Sequence, residues 1–598
     1  MSTENPEQIF REMFESRMVI QKRLQSRARY FSIGRFITFL AAITAVVAAF
    51  MLNSFWWGFA IILTAGFVVL VVFNEFLTGK QKFNDACLLA VEQELQALDG
   101  KFSLFETGEE FIDPAHIYTT DLDIFGNNSL YQTINRATTL AGKLKLAGWL
   151  CNPLRTASAI YARQDAIREL GAMPGWRIKL RAYGMVAGEE KKDLDSLFEW
   201  LAGQPLFHSA FFRYSIVLVP IASFLMTALL IAGVVTIKLF LLYLILPISI
   251  TGFHTKSINK RHAMLSKKVQ LLKKYAFRFG MIEQEKFSSA YLAGLQLQLK
   301  PEGQTASIHI RKLSKITASL DTRLNLLAGF LLNIFMLWDI RQMRRLENWQ
   351  LLHKEHLFQW FDVLAETEAV ASFGAFAFHH PAYIYPAITA DSYSIKAVDA
   401  GHPLIPASVS VSNHIHITHK GHFNIVTGAN MAGKSTYLRT VGVNMVLALA
   451  GSPVCAKKFT CYPAPVFTSL RTTDSLSTNQ SYFYAELLRL KEMIDRLSKG
   501  EELFILLDEI LKGTNSVDKQ AGSKALLTQL IGLGAAGFIA THDLELGNLA
   551  QVFPLDVTNF HFEAEIIEEE LHFDYKLKPG IARNMNATFL MKKMGITI

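Results

Sequence analysis

Residues 423–436 read Phe-Asn-Ile-Val-Thr-Gly-Ala-Asn-Met-Ala-Gly-Lys-Ser-Thr. A short apolar run, Phe423–Val426, leads into the pattern G-x-x-x-x-G-K-[ST] at Gly428, Gly433, Lys434 and Ser435. Tyr437–Ala450 then reads as a helix. A loop that opens a helix after a strand turns successive backbone N–H groups and a helix N-terminus toward phosphate. Gly428, Ala429, Asn430, Met431, Ala432, Gly433, Lys434, Ser435 and Thr436 are therefore candidate ATP contacts. Lys434 is expected to reach the β- and γ-oxygens and the Ser435 hydroxyl to ligate Mg²⁺.

Such a loop needs an acidic partner. Leu503-Phe-Ile-Leu-Leu-Asp-Glu509 supplies five apolar residues, as in a buried parallel strand, with two carboxylates at its C-terminal end. Asp508 is expected to hold Mg²⁺ through water, and Glu509 to polarise an attacking water. A third strand, Phe538-Ile-Ala-Thr-His-Asp543, ends on His542, whose expected role is sensing the γ-phosphate.

These segments resemble the MutS family of DNA mismatch-repair ATPases. TGANMAGKST is similar to that family's TGPNMGGKST. Asp508-Glu-Ile-Leu-Lys-Gly-Thr-Asn-Ser516 is similar to DE-x-G-R-G-T-S-T, and Ala540-Thr-His542 to its ATH switch. Asp474 with Asn479-Gln-Ser-Tyr-Phe-Tyr-Ala-Glu486 resembles the signature G-x-S-T-F-x-x-E. Further upstream, Asp121–Leu154 and Arg163-Gln164 resemble the family's core domain, and Gly401-His-Pro403 the motif that opens its ATPase domain. The resemblance implies an α/β P-loop ATPase of ABC/MutS type following an all-α core and lever domain. It also implies a homodimer with two composite ATP sites, Ser481 contacting the partner's γ-phosphate in trans, and DNA, mismatched or branched, as the macromolecular partner. Ala429, Ala432, Asn479 and Tyr482 depart from the family pattern. Phe10-Arg-Glu12 and Phe73-Asn-Glu75 match the letters of a mismatch-reading Phe-x-Glu wedge, but one lies in a terminal segment and the other at the end of an apolar run.

The N-terminal part has a different texture. Phe36–Phe73 carries no charge and divides at Asn53-Ser54 into apolar halves of 17 and 19 residues, about the length that crosses a bilayer. Lys22, Arg23, Arg27, Arg29 and Arg35 precede it, and Lys80 and Lys82 follow, placing both ends on the cytoplasmic side. Ser215–Phe253 holds a single charge, Lys238, and fits a second hairpin turning near Gly233. Leu324–Trp338 is shorter, contains Asn325 and Asn333, and reads as a soluble core helix. Lys256–Arg278, with Lys267, Lys268, Lys273 and Lys274, reads as a basic helix with a solvated face beside the membrane, phosphate binding being the sharper alternative.

The expected organisation is a basic tail (1–35), a transmembrane hairpin (36–77), a helical core (100–212), a second hairpin (213–256), lever helices (257–390) and an ATPase domain (395–598). An integral protein of a bacterial cytoplasmic membrane follows, with its ATPase domain in the cytoplasm.

Bulk numbers agree with a mixture. Hydrophobic residues are 51% of 598, with a mean hydropathy of +0.22. The net charge of +8 suits nucleic acid and an anionic membrane surface equally. Four cysteines without a CxxC pair suit reduced thiols in a cytosolic environment. The polar start of the chain does not resemble a cleaved signal peptide. His414 and His416 are expected on the outer face of an edge strand, opposite Ile415 and Ile417, and His379-His380 in a loop. An ABC-type transporter and a membrane scaffold that binds ATP without turnover are the alternative functions. The first lacks an LSGGQ segment, and the intact Asp508-Glu509 pair speaks against the second.

Overall fold

The computed structural model describes residues 5–582, apart from 189–190, 266–267, 391, 430, 471–481, 513 and 568–569. The chain opens with two long antiparallel helices, α1 (Pro6–Met51) and α2 (Trp56–Leu98). Asn5 caps α1 by accepting from the Glu7 N–H at 3.1 Å, with Pro6 in the first turn. Ring pairs Phe31–Phe73, Phe39–Phe67 and Phe50–Trp57 run along the hairpin. The basic segment before Phe36 is thus a helical continuation of the apolar span. The far ends of both helices dock on the body: Phe10, Cys87, Ala90 and Val91 are buried against Ile178 and Ala182. Phe10 meets Phe378 edge-on at 5.4 Å, so it is a packing residue here.

The helical body follows: α3 (Leu130–Ile134), α4 (Leu140–Cys151), α5 (Ala157–Gly171), α6 (Pro174–Ala187) and α7 (Lys191–Ala202). A second apolar hairpin, α8 (Ala210–Ile231) and α9 (Ile237–Leu265), interrupts it, with Gly233 at φ +73° in its turn. The body resumes with α10 (Val269–Gln284), α11 (Ala290–Gln298), α12 (Ala306–Asp321), α13 (Leu326–Met336) and α14 (Trp338–His379). By length and composition, α1, α2, α8 and α9 can each cross a membrane, with mean hydropathies of 2.0, 2.3, 2.2 and 1.7 in their most apolar stretches.

Three readings of the sequence are corrected. Leu324–Trp338 is not a buried core helix: α13 buries only Gly329 and Ile334 and packs one face on α8 and α9. Its apolar side chains outnumber the positions that neighbours cover. Of His379-His380 only His380 is loop: His379 ends α14, its side chain covered and its Nε2 3.0 Å from Glu94. The charge of Glu94, taken out of water, draws donors from three further segments. Lys256–Arg278 is only partly a solvated face, because Arg278 is buried in an ion pair with Glu368.

Among the described residues the ATPase unit contains two larger sheets and an antiparallel two-stranded one, Ala564–Ile567 with Glu570–Phe573. Its strands in chain order are β1 (Ala387–Ile388), β2 (Ile395–Ala400), β3 (Asn413–Ile417), β4 (Phe423–Thr427), β5 (Lys458–Cys461), β6 (Val466–Ser469), β7 (Phe504–Asp508), β8 (Ala536–Thr541), β9 (Val557–His561), β10 (Ala564–Ile567), β11 (Glu570–Phe573) and β12 (Lys578–Pro579). The larger sheet has the order β12-β9-β4-β8-β7-β6 and is parallel except for β12. Helices α15 (Lys434–Leu449), α16 (Tyr482–Ser498), α17 (Ser516–Gly532) and α18 (Leu549–Val552) lie among these strands in sequence. The central strands are mostly apolar and buried along nearly their whole length, as in a sheet covered on both faces. The smaller sheet, β1-β5-β2-β3, leaves β3 at its edge, with His414 and His416 exposed and Ile415 and Ile417 buried. Loop 113–125 of the helical body is stitched to the ATPase unit. Asp121 accepts from Thr468 Oγ1 at 2.6 Å and from the Leu470 N–H at 3.0 Å, and Arg489 donates to the His116 carbonyl at 3.0 Å.

Candidate nucleotide site

Parallel pairing in register decides where the site falls. Thr427 lies opposite Thr541, and Asp508 opposite Ala540, so the C-terminal ends of β4, β7 and β8 form one edge. In an open parallel sheet that edge is where ligands bind. The loop after β4, the carboxylates after β7 and the histidine after β8 all emerge there.

The loop turns through Gly428 at φ +146° and Gly433 at φ +101°, the latter capping α15. At Gly428 an added Cβ would sit 2.7 Å from the Phe562 carbonyl oxygen. The backbone of the loop presses against the chain after β9, and only glycine fits. Gly428→Ala should therefore strain the loop by about 1–3 kcal/mol. Lower thermal stability together with ATP binding weakened about tenfold or more is the expected pair of results from melting and titration.

Lys434 is buried. Its ammonium donates to the carbonyls of Gly428 at 2.7 Å and Ala429 at 2.9 Å, and burial lowers its pKa. Ser435 donates its hydroxyl to Asp508 Oδ2. Burial raises the Asp508 carboxyl, partly offset by that hydrogen bond. A half-buried carboxylate beside a hydroxyl is a pair of hard oxygen donors that leaves the other positions to water and phosphate, as Mg²⁺ prefers. Among the described residues no cluster of three or more His, Cys, Asp or Glu could hold a metal.

Glu509 and His542 meet directly. His542 Nε2 contacts Glu509 Oε1, and its Nδ1 lies 3.0 Å from the Gly428 carbonyl. Lys512 Nζ lies 3.2 Å from Glu509. The hydrogen bond from His542, with smaller help from the charges around it, lowers Glu509 to about 2. Five expected residues, Lys434, Ser435, Asp508, Glu509 and His542, thus converge on one loop. Met431 is exposed at φ +68°, Ala432 is buried, and Thr436 lines the adjoining cavity. Asn430 and Ser481 lie outside the described residues, as do Asp474 and Asn479.

Some neighbours were not legible beforehand. A cavity of about 390 Å³ beside the loop is lined by His402, Ile405, Lys434, Thr440, Phe562 and Tyr575. Phe562 and Tyr575 carry no local motif; only the return of the chain along β9 and β12 brings them in. Lys512 could have been suspected from its spacing of three after Glu509. Glu486 accepts from the backbone N–H groups of Leu511 at 2.6 Å and Lys512 at 3.3 Å. It ties α16 to the carboxylate loop, where Glu509 and Leu511 adopt φ +51° and +60°.

Comparison with known proteins assigns both parts of the chain. The family model of MutS domain III matches residues 116–203, and that of MutS domain V, a P-loop ATPase domain, matches 424–594. The chain is 31% identical over 244 residues to MutS protein homolog 4 of Homo sapiens and, equally, of Mus musculus, covering 39% of this chain and 25% of each relative. It is 33% identical over 211 residues to DNA mismatch repair protein MutS of Aquifex pyrophilus, covering 34% and 24%. It thus spans about a quarter of the length of these relatives. A domain III-like body is stitched to a domain V-like sheet that carries the loop, the paired carboxylates and the histidine on one edge, and both matches support a member of the MutS family.

Proposed function

We propose that the chain is a membrane-attached ATPase that binds and hydrolyses ATP with Mg²⁺ at a dimer interface and couples this to DNA of mismatched or branched structure. The observation that carries the reading is the convergence of Lys434, Ser435, Asp508, Glu509 and His542 on the loop 428–436. Lys434, Thr436 and the N-terminus of α15 would hold the phosphates, and Ser435 with Asp508 would hold Mg²⁺, which neutralises phosphate charge when bound. Glu509 would accept a hydrogen bond from water. Dimerisation rests on the family resemblance and Ser481. DNA rests on the relatives' names and the net charge of +8. Membrane attachment rests on four exposed apolar helices, and the positive-inside pattern puts the ATPase unit in the cytoplasm, at the inner membrane of a bacterium.

Lys434→Ala should weaken ATP binding by about one to two orders of magnitude. Hydrogen bonds to a charged group are worth roughly 1.5–3 kcal/mol. Titration of purified full-length protein with a fluorescent ATP analogue measures it; unchanged affinity would remove the phosphate role. The DNA part is tested by anisotropy with duplex, mismatched and branched DNA across salt concentrations, with and without ATP. Preference for one structure supports the reading, a salt slope without preference reduces it to phosphate attraction, and no binding at low salt rejects it.

A further inference from the structure

We propose that the elbow between α13 and α14 is a binding site for the headgroup phosphate of an anionic phospholipid, with α13 lying in the adjoining acyl layer. The inference rests on the membrane reading above and adds a third contact with the bilayer, of defined lipid chemistry.

The first observation is α13 itself. Leu326 is 88% exposed and Phe330 58%, with Leu324, Leu327 and Leu331 exposed beside them. The opposite face packs on the second hairpin: Ser223 Oγ donates to the Ile334 carbonyl at 3.3 Å, and the Phe224 and Phe335 rings are 6.3 Å apart. The uncovered apolar face of α13 is therefore continuous with that of α8 and α9. At Leu337, in the left-handed region, the chain turns by 78° into α14.

The second observation is what this turn encloses. A cavity of about 470 Å³ lies between the first turns of α14 and Ile216 of α8, lined by Trp338, Arg341, Gln342, Arg344 and Arg345. Positions 338, 341, 342 and 345 share one helical face. None of the three arginines has a carboxylate within ion-pair distance among the described residues. Arg344 donates to the carbonyls of Phe207 at 3.0 Å and Ser209 at 3.4 Å, the residues just before α8. The Arg344 guanidinium thus stands at the level where the hairpin begins its apolar run, which is headgroup depth, and Arg341 and Arg345 line the same cavity.

The third observation is independent of charge. Gln342 is 1% exposed and its amide Nε2 has no hydrogen-bond partner among the described residues, while its Oε1 accepts from Arg345 at 3.2 Å. A buried amide donor without an acceptor is costly; Gln342 lines the cavity, and a rotation of its amide toward a bound phosphate oxygen would satisfy it. Guanidinium forks and an amide N–H are the donors that fit phosphate. Ile216 and the Trp338 ring form the apolar lip that glycerol and acyl carbons need. A soluble phosphate compound would use the donors alone and leave the α13 face uncovered.

The test is lipid retention by full-length protein reconstituted in phosphatidylcholine with phosphatidylglycerol, extracted in mild detergent and analysed by native mass spectrometry. Wild type should retain phosphatidylglycerol over phosphatidylcholine. Arg341→Gln/Arg344→Gln/Arg345→Gln should cut that preference about tenfold or more, and Gln342→Leu should lower it with all charges kept. Unchanged ATP affinity at the distant loop shows that the variants are folded. Equal retention by the triple variant overturns the site, and displacement of the lipid by glycerol 1-phosphate at equal concentration assigns the cavity to a soluble phosphate instead. Alkaline carbonate extraction separates the two levels: release of the chain overturns both the membrane reading and this site. A chain that stays in the membrane without anionic preference overturns this site alone.

Discussion

Glu509→Gln should bind ATP with near wild-type affinity and hydrolyse it about 10²- to 10⁴-fold more slowly, the range for loss of a positioned acid–base group. Glutamine keeps the shape and one acceptor oxygen, so the contact with His542 can persist. The lost ion pair with Lys512 is partly exposed and contributes little to stability. Under the proposed role, only the capacity to hold a water and take its proton would be removed. The acidity of Glu509 refines the expectation. With its carboxyl lowered to about 2 by the His542 hydrogen bond, it is ionised throughout the physiological range but is a weak base. If His542 turned from Glu509 toward a γ-phosphate, as the proposed role requires, the carboxyl would rise toward its ordinary value and proton removal at neutral pH would be better matched. The linkage has one sign: the folded-state pKa is depressed, so the stabilisation is complete above about 4.5 and is lost as pH falls from there toward 2. Single-turnover phosphate release and size-exclusion chromatography with ATP measure rate and association together. Normal turnover would remove the water-orienting role, and slow turnover without ATP-dependent association would separate hydrolysis from the proposed dimer.

What could be read from the chain beforehand was local. The loop 428–436 declares itself because strand, glycines, lysine and hydroxyl are contiguous, and Asp508-Glu509 because a five-residue apolar strand delivers it to the sheet edge. The meeting of Ser435 with Asp508 followed from parallel pairing. The helical body was legible as a class but not in its contacts. Glu94 of α2 is held by Arg136, Arg181 and His379 from three other segments, and nothing near Glu94 in the sequence announces them. Leu511 stands where the resembled motif DE-x-G has glycine, and it takes φ +60° all the same. Its side chain packs where a Cβ on Gly522 would approach to 2.6 Å, so a glycine on α17 accommodates what the loop gave up. A pattern match registers the departure but not the partner that makes it tolerable.

Glu368→Ala should destabilise the folded chain by about 3–5 kcal/mol, the usual cost of leaving one member of a buried ion pair alone. Glu368 sits on the buried face of α14, the long helix that runs from the elbow at Leu337 to the start of the ATPase unit. One carboxylate oxygen accepts from the Thr138 N–H at 3.0 Å and its hydroxyl at 2.6 Å; the other accepts from the Thr139 N–H at 3.3 Å and its hydroxyl. Arg278 of α10 completes the set through Nη2, and its Nε and Nη1 have no hydrogen-bond partner among the described residues. Removing the carboxylate therefore strands a buried guanidinium and two backbone donors at the start of α4. Arg278 and the threonine hydrogen bonds outweigh desolvation and lower the Glu368 carboxyl, although burial alone raises it. Its stabilisation is thus present above about pH 4.5 and lost as pH falls through the lower folded value. Denaturant melts of full-length protein in detergent measure the cost. Glu368→Leu with Arg278→Leu together should recover much of it, since an apolar pair of adequate volume replaces a buried ion pair at little loss. Recovery of stability without recovery of ATP turnover would show that the carboxylate holds α14 at a particular setting for the ATPase unit. Recovery of both would leave it a packing element, and failure of the double variant to recover stability would place the cost in the threonine hydrogen bonds.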